Sequence, residues 1–60
     1  MELNNILKSR VRSAQQDLTV AEDHYRENFT RKNYERMIAR YRDLLAARER
    51  LSEYRRQGGN

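Results

Sequence analysis

The apolar residues of this chain keep a heptad rhythm that breaks once, between Tyr25 and Tyr34. Before the break, Leu7, Val11, Ala14, Leu18, Ala21 and Tyr25 recur at alternating spacings of four and three. That spacing lines side chains along one seam of an α-helix and packs helix against helix. After the break, Tyr34, Met37, Ile38, Tyr41, Leu44, Leu45, Leu51 and Tyr54 form a wider stripe over a, d and e positions. Tyr34 lies nine residues beyond Tyr25, two more than a heptad, so one straight helix would throw its own seam out of phase. There is no proline, and the two glycines stand together at 58 and 59, so nothing interrupts either stripe. The pattern predicts two helices, at about 3–28 and about 31–57, reversed over residues 28–30.

The residues at the break suit a reversal. Thr30 is a good N-cap for the second helix, because its hydroxyl accepts a backbone N–H from the first turn. Phe29 then falls at N′ and Tyr34 at N4, the two positions of a hydrophobic staple. Asn28 is expected to close the first helix in a left-handed conformation, which asparagine tolerates. Gly58-Gly59 is expected to close the second for the same steric reason. Glu22 and Arg26 stand four apart in the favourable order for a helical ion pair. Folding at the turn pairs Tyr25 with Tyr34, Leu18 with Tyr41 and Val11 with Arg48, and sets the small residues Ala14 and Ala21 against larger ones of the second helix.

Size then becomes the limiting quantity. Sixty residues make one domain, 1–60, and ordering them costs on the order of 90 kcal/mol. Small folds offset this with disulfides, a metal or a partner chain. There is no cysteine, and one histidine, His24, cannot hold a structural metal alone. Self-association is the remaining common route. A hairpin on this register leaves Leu3, Ile6, Val20, Ile38 and Leu45 without cover, and uncovered apolar surface marks a second interface. The expected fold is therefore all-α: a coiled-coil-like antiparallel two-helix hairpin that dimerises into a four-helix bundle.

Enzymatic chemistry is not expected. His24 has no nucleophile at a useful spacing, and Ser9, Ser13 and Ser52 lie on helix surfaces without a glycine-rich elbow. The carboxylates alternate with arginines, as on a solvated helix face, and the Glu-x-x-His pairs of a di-metal bundle are absent. No cofactor is implied. No apolar run approaches the ~20 residues that cross a bilayer, and Met1-Glu2-Leu3-Asn4-Asn5 lacks the features of a secretion signal. The expectation is a cytoplasmic protein without a membrane partner.

Charge is more informative. Residues 17–43 hold six basic and six acidic side chains and are neutral. The remainder holds Lys8, Arg10, Arg12, Arg48, Arg50, Arg55 and Arg56 against Glu2, Glu49 and Glu53, so the net +4 gathers where the two ends of a hairpin meet. A localised positive field attracts acidic protein surfaces or polyanions. The expected function is a small regulatory binding protein, an adaptor or inhibitor, using those seven cations. Nucleic-acid binding by the same end is the alternative, and a purely structural assembly piece is the second alternative.

Overall fold

The computed structural model describes residues 2–58 and holds two helices, α1 (Leu3–Glu27) and α2 (Arg31–Arg56). They lie antiparallel, within extents of 43 × 17 × 11 Å. A continuous rod would reach roughly 90 Å at ~1.5 Å per residue, so the chain reverses. The radius of gyration, 13.8 Å, exceeds the roughly 10 Å of a rounded domain of this length. The molecule is thus long and thin, with little interior.

The reversal is built from three residues. Thr30 is the N-cap of α2, and its Oγ1 accepts the Asn33 N–H at 3.1 Å. Asn28 corrects the expected left-handed cap: its φ of −140° and ψ of 104° are extended. The physical reason is that α1 finds its closing donors elsewhere. The Asn28 N–H donates to the His24 carbonyl at 3.0 Å. The Asn33 side chain then reaches back from α2, its Nδ2 donating to the Asn28 carbonyl at 3.1 Å and to the His24 carbonyl at 3.3 Å. Thr30 N–H donates to the Asn28 carbonyl at 2.8 Å, which tightens the bend around Phe29. Carbonyls left over at a helix end need such partners, and here a side chain of the next helix supplies one.

The staple is also rearranged. Tyr25 stands edge-on to Phe29, ring centroids 5.1 Å apart, and tilted against Tyr34 at 5.6 Å. The ring from α1 thus serves both staple positions. At the other end Gly58 adopts a φ of 91° and ends α2, its N–H bonded to the Arg55 carbonyl at 3.2 Å. Gly59 lies outside the described residues.

The seam of α1 is as the heptad spacing predicts. Leu7, Leu18 and Ala21 are buried, and Val11, Ala14 and Tyr25 are half-buried. It also extends one step further back, to Asn4, which is buried. In α2 the wide stripe divides. Met37, Leu44, Ala47, Leu51 and Tyr54 turn toward α1, with Leu44 the most enclosed at 3% exposure. Tyr34, Tyr41 and Leu45 remain 45–48% exposed. Two expected pairings change as a result. Tyr41 stays 48% exposed although Leu18 is buried, and Arg48 is exposed while its neighbour Ala47 takes the seam position. A stripe spanning a, d and e is wider than one facing helix can cover, so part of it is left outside.

Candidate partner-binding site

Each helix turns about 100° per residue. A residue one position before the seam therefore points to one side of the hairpin, and one position after it to the other. Because the helices are antiparallel, "before" in α1 and "before" in α2 share a side. Three surface grooves show this directly. Leu3 and Leu7 line one with Ala46, Arg50 and Tyr54. Arg10 lines a second with Asp43, Ala46 and Arg50. Asp17, Val20 and His24 line a third with Arg36 and Arg40.

This geometry sorts the residues expected to form a dimer interface. Leu3, Ile6 and Val20 each precede a seam residue and lie on the grooved side. Ile38 and Leu45 each follow one and lie on the opposite side. No single flat partner covers all five. The sequence pattern identified them as uncovered; Leu3, Val20 and Leu45 are 49%, 53% and 45% exposed, whereas Ile6 and Ile38 are half-buried. The rotation of each helix separated them.

The cations divide likewise. Arg10 and Arg50 come together on the grooved side, beside Asp43 and close to Glu49 and Glu53. Lys8, Arg12, Arg48 and Arg55 follow seam residues and share the other side. Arg56 is held within its own helix, by Glu53 at 3.5 Å and by Ser52 Oγ at 3.5 Å. None of Lys8, Arg12, Arg48 and Arg55 forms an ion pair among the described residues. The ion pairs that do form are Arg26–Asp23, Arg31–Glu35, Arg40–Asp43 and Arg56–Glu53. Each lies within one helix, so none ties α1 to α2. Arg26 chooses Asp23 at 3.4 Å over the expected Glu22.

The other side thus carries a stripe of Tyr34, Ile38, Tyr41 and Leu45 that runs along α2, beside a groove lined by Tyr34, Glu35, Ile38, Ala39 and Arg42, into a cationic corner. Exposed pairs of the kind seen elsewhere contribute only about 0.2–1 kcal/mol. The four unpaired cations do less still for the monomer, apart from Arg55 near the negative end of the α2 dipole. Their positions are available to a partner.

Sequence reasoning missed two residues. Asn33 clasps the turn, and its signal was its place at N3 of a helix that follows a tight bend. Asn4 sits on the seam three residues before Leu7, at the spacing that continues the heptad, but its polarity disguised it. Its Oδ1 is buried with no hydrogen-bond partner among the described residues. His24 presents its carbonyl to the turn and is among the residues lining the third groove. Among the described residues, no helix is long and apolar enough to cross a membrane. Compared with known proteins, the chain matches no family model, no curated protein and no solved structure.

Proposed function

We propose that this chain is a non-enzymatic binding protein, an adaptor or inhibitor, that self-associates into a four-helix assembly and docks an acidic protein surface through Lys8, Arg12, Arg48 and Arg55. The observation that carries the reading is the coincidence of four unpaired cations with an exposed apolar stripe on one side of the hairpin. The apolar stripe serves self-association, and complementary charge supplies orientation and encounter rate toward the acidic partner. Nucleic acid is the second reading, on the strength of the same arginines. It is disfavoured because Tyr25, Phe29 and Tyr34 cluster at the far end of a 43 Å molecule, where they cannot stack bases beside the arginines.

The test titrates a fluorescein-labelled polyglutamate peptide and a labelled DNA duplex, each at ~50 and ~200 mM salt. Arg48→Glu with Arg55→Glu takes the net charge from +4 to zero. Lys32→Glu with Arg36→Glu makes the same change at the turn end. The expected result is peptide binding that the first pair weakens by at least ~10-fold, about 1.4 kcal/mol, and the second leaves nearly intact. Equal losses from both pairs would show that net charge alone acts, and would overturn the corner as a site. Steeply salt-dependent DNA binding without peptide binding would transfer the function to nucleic acid.

A further inference from the structure

The stripe Tyr34, Ile38, Tyr41 and Leu45 repeats at spacings of four, three and four, so it is a heptad seam in its own right, displaced from the one that meets α1. The hairpin covers it only in part: Ile38 is half-buried, but Tyr34 is 47% exposed, Tyr41 48% and Leu45 45%. We infer that a second copy of this chain covers it, with α2 packed antiparallel on α2. The inference rests on the self-association proposed above and adds its face, its orientation and a consequence.

Shape leaves area for a partner. The elongated chain exposes 4871 Å², whereas a compact monomer of 7.3 kDa exposes about 4,200 Å². The difference, about 700 Å², is of the order of the ~800 Å² that each partner gives to a standard interface. The helix α1 contributes only polar residues to this side, among them Gln15, Thr19 and Glu22, so the apolar contact is confined to α2 of each copy.

Charge selects the orientation. Glu35 follows Tyr34 and Arg42 follows Tyr41, so both border the stripe along its outer edge. In an antiparallel pair with Tyr34 over Leu45 and Ile38 over Tyr41, each copy's Glu35, bonded to Arg31 of its own helix at 3.4 Å, approaches the other's Arg42, twice by symmetry, while Arg48 comes over the other's Arg31. A parallel pair would put the Glu35 and Arg42 edges of the two copies on opposite sides of the contact, so neither ion pair could form. It would also stack the two +4 open ends on each other. The antiparallel pair separates them: Arg55 of one copy lies ~45 Å along the axis from Arg55 of the other, at ~1.5 Å per residue. That is several times the ~8 Å screening length at physiological salt. The two cationic corners then stand at opposite ends of one assembly, which is bivalent and bridges two acidic partners.

Two measurements on the full chain test this. Light scattering gives the mass, twice 7.3 kDa for the dimer, and Leu45→Glu is expected to reduce it to that of one chain. Because the chain lacks cysteine, Ser52→Cys carries a single spin label, and pulsed electron resonance on that otherwise unaltered chain reads the orientation. The antiparallel pair places the labels ~40 Å apart, and a parallel pair places them under ~20 Å. A single-chain mass at millimolar concentration would remove self-association and this proposal with it. A dimer that survives Leu45→Glu would overturn the face, and a short label distance the orientation, with self-association left standing in both cases.

Discussion

The two ends of the hairpin are made of the same helices and are held in opposite ways. At the turn end, Asn33 bonds two carbonyls of the neighbouring chain segment, Thr30 caps α2, and Tyr25 packs against two rings. Charge there is balanced. At the open end, no ion pair or side-chain hydrogen bond joins α1 to α2 among the described residues. Leu7, Leu51 and Tyr54 hold the helices by burial alone, an unpartnered Asn4 oxygen sits on the seam, and the net charge collects. Directional bonds are concentrated where the chain must bend, and unsatisfied groups where it need not. On the proposed reading, a partner that neutralises the charge of Lys8, Arg12, Arg48 and Arg55 meets no competing ion pair of theirs among the described residues.

The contrast can be broken from either side. Tyr25→Ala removes the ring that joins Phe29 and Tyr34, and is expected to destabilise the hairpin by about 2–3 kcal/mol, slightly below the range for fully buried aromatics. Circular dichroism melts at fixed protein concentration read this as a fall in Tm of roughly 4–8 °C per kcal/mol. Asn33→Ala deletes the clasp and leaves the Asn28 and His24 carbonyls dependent on water, for an expected loss of about 1–2 kcal/mol. An unchanged Tm would mean that Thr30 and the aromatic rings close the turn unaided. The smallest effect is expected at the other end and in the opposite direction. Asn4→Leu replaces a buried acceptor lacking a donor with a residue that continues the seam, and is expected to stabilise by about 1 kcal/mol. A lower Tm for this variant would show that the Asn4 oxygen has a bond partner in solution.

Much of this was legible before folding. The break between Tyr25 and Tyr34 marked the reversal, Thr30 the cap and Gly58 the end of α2, because phase, capping and left-handed backbone are properties of short stretches of chain. The closure of α1 was not legible, since its donor comes from Asn33, five residues past Asn28 and in the next helix. The expected partner site was half legible: counting charges by end located the cations, but not that Arg10 and Arg50 face one way and Lys8, Arg12, Arg48 and Arg55 the other.

The sequence by itself determined that two amphipathic helices form, where they start and stop, and that their open end is basic. Only the tertiary structure decided which part of the broad α2 stripe meets α1 and which part stays outside. A heptad pattern states the direction of each side chain relative to its own helix axis. The rotation of that helix about its axis is set by the partner it packs on, here by Leu44 and Ala47 entering the seam that α1 presents. That rotation alone left Tyr34, Ile38, Tyr41 and Leu45 in line with the cationic corner.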